Sequence, residues 1–136
     1  MRRWIKLLCL SLALGLTLTG PALAGELVVV MGTSAVPITK DQLADIYLGR
    51  SSTLKPLDLP DSNGLRDQFY KRVTDRDAAQ VKALWSRIIF TGQGQPPKEL
   101  PDAAAVKKAV AADPRMVGYI DKSDVDASVK VVLSLH

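Results

Sequence analysis

The run Glu26 to Met31, ELVVVM, limits most strongly what this chain can fold into. It is a continuous apolar stretch of strand length, without the alternation that a sheet with one wet face requires. Such a strand has to be covered on both faces, which calls for helices packed against a sheet. The following sequence supplies them. Thr39-Lys40-Asp41-Gln42 is a capping box, opening a helix that buries Leu43, Ile46 and Tyr47 and ends at Gly49. Leu54 to Leu59 alternates apolar and polar residues, and Pro56 marks it as an edge strand or a brief one. Leu57 to Phe69, LDLPDSNGLRDQF, then reads as a strand end, a tight polar turn and the start of a helix. Pro60 stops the strand, Asp61 or Ser62 is placed to cap the helix, and Leu65, Phe69 and Val73 share its buried face.

A break at Thr74 to Asp77 precedes a second helical pattern to Phe90, with Val81, Leu84, Trp85 and Ile88 at helical spacing. Trp85 reads as a packing anchor rather than a ligand stacker. Two glycines and two prolines make Thr91 to Lys98 a loop. Asp102 caps a small-faced helix over Ala103 to Ala112, packing through Ala105, Val106, Ala109 and Val110, and Asp113-Pro114 ends it. Met116 to Ile120 and Val129 to Leu133 read as strands. The order predicts an α/β fold: a single-lobe mixed-sheet sandwich of about four strands flanked by helices.

The first residues are expected to be removed. Arg2, Arg3 and Lys6 precede the apolar run Leu7 to Leu18, and Ala22-Leu23-Ala24 is a small-x-small cleavage site. Residues 1–24 therefore read as a signal peptide, leaving residues 25–136 as one domain, periplasmic or secreted, with no stable membrane anchor after cleavage. Cys9, the chain's one cysteine, lies inside the apolar run without the small-residue box of a lipoprotein. Removing those three of the 18 basic residues nearly balances the 14 acids, so nucleic acid loses its main support as a partner.

Several chemistries lack their residues. Beyond Ala24 there is no cysteine, and the one histidine is the terminal His136, so neither a Ser-His-Asp nor a Cys-His arrangement can be assembled. Zinc has no ligand set, and Asp121, Asp124 and Asp126 lack the glycine and final glutamate of a calcium loop. The chain is expected to be no enzyme and to hold no metal or cofactor. What remains are polar turns at strand ends, where ligands of open α/β sheets bind. Gly32-Thr33-Ser34 follows the first strand, Asp61-Ser62-Asn63-Gly64 with Arg66 follows the second, and Thr91-Gly92 could line the same edge. A helix N-terminus with a hydroxyl and a nearby Arg has the parts of an oxyanion site. The same residues also serve an ordinary capped helix with a solvated Arg.

The segments VVVMGTSAVPIT, LADIYLGR, RDQFY, ALWSRIIFTGQGQPP and MVGYID, in that order, resemble the short members of the phosphate ABC transporter substrate-binding protein family, with a type 2 periplasmic-binding-protein-like fold. The resemblance implies a lobe that captures phosphate or another small oxyanion through Thr33, Ser34, Ser62, Asn63 and Arg66. It implies as partners a transporter's membrane component, or a second lobe by homodimerisation. Three or four charge-assisted contacts of roughly 1.5–3 kcal/mol each, set against an association cost of at least about 4 kcal/mol, leave an open face near millimolar affinity. Tight binding is therefore expected to need the second lobe. The alternative expectation is a periplasmic interaction or sensor module that keeps the fold without binding phosphate, recognised through the helix of Leu84 and Trp85 or through Pro96-Pro97.

Overall fold

The computed structural model describes residues 26–135; the signal peptide expected over residues 1–24 and the terminal His136 lie outside the described residues. The elements run β1 (Leu27–Met31), α1 (Lys40–Tyr47), β2 (Lys55–Asp58), α2 (Gly64–Thr74), α3 (Ala78–Phe90), β3 (Lys98–Glu99), α4 (Ala103–Ala112), β4 (Met116–Asp121) and β5 (Lys130–Leu135). The five strands form one sheet in the order β3-β2-β4-β1-β5. β2 is parallel to β3 and to β4, whereas β1 is antiparallel to both of its neighbours. The mixed α/β sheet expected from the alternating elements is present, with one strand more than expected. That strand is β3, only two residues long and hidden in the proline-rich stretch, too brief to carry a periodicity.

All five residues of β1 are buried, as a strand covered on both faces must be. β4 shows how the covering is divided, because successive side chains on a strand face opposite ways. Gly118 faces α4 so closely that a Cβ there would lie 2.5 Å from Val106 Cγ1. Tyr119 faces the other way, its ring stacked on Phe69 of α2 with centroids 4.0 Å apart. One face of the sheet thus carries α4 through Val106 and Val110, and the other carries α1 and α2. α3 is tied to α1 by Trp85, whose indole N–H donates to the carbonyl of Tyr47 at 2.9 Å. Trp85 is buried and acts as the expected anchor.

Local signals operate where they were read. Thr39 and Gln42 exchange the two capping-box hydrogen bonds. Gly49 follows the cap residue Leu48 with φ +77°, the left-handed conformation that glycine adopts without strain. Asp75, at φ 57°, ends α2, and Asp77 opens α3 with a capping box to Gln80. Asp121 and Asp126 accept hydrogen bonds from Ser123 and Ser128, so the acidic run forms turns. β2 departs from the edge position suggested by Pro56. It lies inside the sheet, but β3 pairs only with Leu57 and Asp58, so no ladder partner is opposite the missing N–H of Pro56 on that side.

Candidate functional site

β2 and β4, being parallel, present their carboxyl ends at one edge of the sheet, and there the chain turns through Pro60 into α2. The cap of α2 is Asn63, whose side chain accepts from the Leu65 N–H at 3.0 Å. This corrects the expectation that Asp61 or Ser62 caps the helix. Asn63 stands immediately before the first helical residue, whereas Asp61 is two residues too early. Asp61 is released to reach forward and hydrogen-bond the Arg66 guanidinium. Ser62 is exposed at the tip of the turn.

Arg66 is half-buried and faces Asp58, the one buried charged residue among those described. Its Nε lies 3.5 Å from Asp58 Oδ2, and that buried Nε has no hydrogen-bond partner. Asp58 is otherwise saturated. Its Oδ1 accepts from the Tyr119 hydroxyl at 2.5 Å and from the Leu59 N–H at 2.9 Å, and its Oδ2 accepts from the Tyr70 hydroxyl at 2.5 Å. Burial, then the Asp58 charge, pushes the Tyr70 and Tyr119 hydroxyls well above their ordinary range, so both stay protonated and donate. At Arg66 burial opposes the charge, but Asp58, helped by Tyr70, Asp61 and Tyr119, outweighs it and holds the guanidinium above its usual value. Lys82 Nζ, on α3, stands 3.7 Å from Asp61 Oδ2. Two carboxylates and two cations therefore balance within this cluster. It walls a cavity of about 240 Å³ closed on its other sides by Trp85, Pro96, Pro97 and Glu99.

Of the residues singled out in the sequence, the fold brings Ser62, Asn63 and Arg66 to this edge. Thr33 and Ser34 lie elsewhere. β1 runs antiparallel to β4, so its carboxyl end meets the start of β4 and of β5, with Met31 opposite Lys130. The turn after β1 and the turn after β2 are therefore at opposite ends of the sheet, separated by the six residues of β4, roughly 20 Å at the strand rise. Both Thr33 and Ser34 are exposed. Thr91 and Gly92 close α3, the Thr91 hydroxyl donating to the Ile88 carbonyl, and neither lines the cavity beside Asp58.

Asp58, Tyr70, Tyr119 and Lys82 escaped the sequence reading. Alternation in LDL reads Asp58 as the wet side of a strand. Its burial comes from the packing of α2 and β4, and a buried acid has to be paired. Arg66 and Tyr70, four residues apart on one helix, were the partners at hand. Among the described residues no group of three or more His, Cys, Asp or Glu could hold a metal ion, and no helix is long and apolar enough to cross a membrane.

The architecture is an open mixed sheet with helices on both faces and a polar cluster at its carboxyl edge. Solved structures carry the comparison further. The chain is similar to a protein from Clostridium perfringens described as a phosphate ABC transporter substrate-binding protein with bound phosphate, at 21% identity and TM-score 0.63. An ABC-type phosphate transport receptor from Vibrio cholerae matches at 18% identity and TM-score 0.62, and PstS from Borrelia burgdorferi at 15% and 0.56. Each match covers 79% of this chain but only 44%, 45% and 46% of the respective neighbour, so the chain spans less than half the length of the structures it resembles. No family model and no curated protein matches the sequence. The likeness is one of fold: the chain matches a single lobe of a periplasmic binding protein.

Proposed function

We propose that this chain is an extracytoplasmic interaction or sensor module built on a solute-binding lobe, in which the carboxyl-edge site is neutralised from within and does not take free phosphate. The observation that carries this reading is the double engagement of Arg66 by Asp58 and Asp61. A guanidinium already facing two carboxylates offers an incoming anion little net attraction, and with Lys82 the cluster needs no external charge. The turn of Thr33 and Ser34, at the far end of the sheet, adds no donors at this edge. Ile89, which lines the cavity with Pro96 and Pro97, and the exposed Phe90 that follows it give a partner protein an apolar foothold at the end of α3.

Capture of phosphate for an ABC transporter is the second reading, favoured by the solved neighbours, one of which holds phosphate. Here it would use Ser62, Asn63 and Arg66 with Asp61 displaced from the guanidinium, and a second lobe to close the site. Calorimetry and thermal melts of the purified chain with phosphate and sulfate separate the two readings, since a ligand that binds only the folded form raises its melting temperature. The internal-neutralisation reading expects no saturable heat and no melting shift for the wild type. Micromolar binding of phosphate, abolished by Arg66→Ala, would replace it with the transport reading.

A further inference from the structure

A roomier cavity, about 420 Å³, opens at the other end of β2, between the end of α1, the start of β2, α3 and the loop before Pro96. Its volume falls in the range of about 300–1,000 Å³ typical of small-molecule sites. Ile46, Leu54, Trp85, Ile88 and Met116 give it an apolar wall, and Ser51, Ser52, Gln93 and Gln95 add neutral polar groups to the lining. Trp85 contributes only ring carbon here, because its N–H is committed to the Tyr47 carbonyl and its benzo edge lies against Gly49 and Gly94. Those glycines leave space that a side chain would fill; a Cβ on Gly49 would lie 3.1 Å from both Trp85 and Ile88.

The charge around this cavity is one-sided. Lys55 and Lys98 line it, and no Asp or Glu does. Lys98 makes no ion pair among the described residues, and Lys55 touches only Asp113, at 3.4 Å, with half of its own side chain in water. We infer that the cavity binds an aliphatic monocarboxylate of medium chain length, its tail along Trp85 and Ile88 and its carboxylate between Lys55 and Lys98. A cationic amphiphile would meet two lysines and no counter-charge. An inorganic oxyanion would leave the apolar wall wet, and a neutral sugar would bring no charge to meet the two ammonium groups. The inference stands apart from the reading of the carboxyl edge, with which the cavity shares Trp85 and Pro96 but neither Arg66 nor Asp58.

Octanoate titrated into the purified chain, followed by calorimetry and by melting temperature, tests it. Saturable one-to-one binding is expected, with 1-octanol and acetate each bound at least about tenfold more weakly, because each lacks one half of the recognition. Exchanging both lysines, as Lys55→Gln with Lys98→Gln, should weaken octanoate about ten- to a hundredfold while the circular dichroism stays unchanged. Lys82→Gln, at the other edge, should leave octanoate binding as it was. No saturable octanoate binding would overturn the inference. So would equal binding of octyltrimethylammonium, unchanged affinity in the lysine pair variant, or loss of binding with Lys82→Gln.

Discussion

The two ends of β2 solve opposite problems within four residues. At its carboxyl end a buried carboxylate is surrounded: two tyrosine hydroxyls, a backbone N–H and a guanidinium converge on Asp58. At its amino end Lys55, with Lys98 of the neighbouring β3, rims a cavity that has an apolar wall, neutral polar groups and no acid in its lining. Burial accounts for the difference. Asp58 is 5% exposed, where an unpaired charge would cost several kcal/mol, so the fold has assembled every partner it needs. Lys55, half in water, has only the surface pair with Asp113, and Lys98 has no ion pair among the described residues; at the exposed rim this costs little. A saturated cluster holds structure together and answers weakly to ligands; an unsaturated rim contributes little stability and remains available. The region that a sequence reading marks as the binding site is thus the more committed of the two.

The sharpest way to break this contrast is Asp58→Ala. It removes the acceptor of both tyrosine hydroxyls and the buried carboxylate facing Arg66 Nε, leaving Asp61 on the outer side of the guanidinium, and should destabilise by about 3–5 kcal/mol in urea denaturation. A loss below about 1 kcal/mol would mean that the cluster is not the structural one. Alkaline titration comes next. The folded state raises the Tyr47, Tyr70 and Tyr119 hydroxyls, chiefly by burial, so their contribution is complete below the unfolded value near 10 and falls as pH rises beyond it. These three are all of the chain's tyrosines. By pH 11 they should remove about 4 kcal/mol, and tyrosinate absorbance should appear together with unfolding rather than before it.

Tyr119→Phe isolates a single bond of the cluster and should cost about 1.5–3 kcal/mol, the usual worth of a hydrogen bond to a charged group. Stability unchanged within error would show that the Leu59 N–H and Tyr70 suffice for Asp58. Smallest of all is Lys98→Gln, expected to shift stability by less than about 0.5 kcal/mol in the same assay. A larger loss would show Lys98 committed to the fold, and the two ends of β2 would then be alike.

The sequence alone determined the pieces that short-range contacts decide. The Thr39–Gln42 cap, the break before α3, the α4 span from Asp102, the glycine that ends α1 and the buried run of β1 all depend on neighbours within four residues, and so were readable. Phe69 and Val73 took the core face of α2 for the same reason. Only the tertiary structure decided which turns share an edge. Nothing in ELVVVM states that β1 runs against β4, yet that direction sends Thr33 and Ser34 to one end and Arg66 to the other. The partners of Asp58 likewise come from 12 and 61 residues away in the chain, on Tyr70 and Tyr119. A carboxylate that reads as a solvated strand residue becomes the centre of the site only once α2 and β4 close over it, because desolvation is a property of what packs around a group and not of its place in the chain.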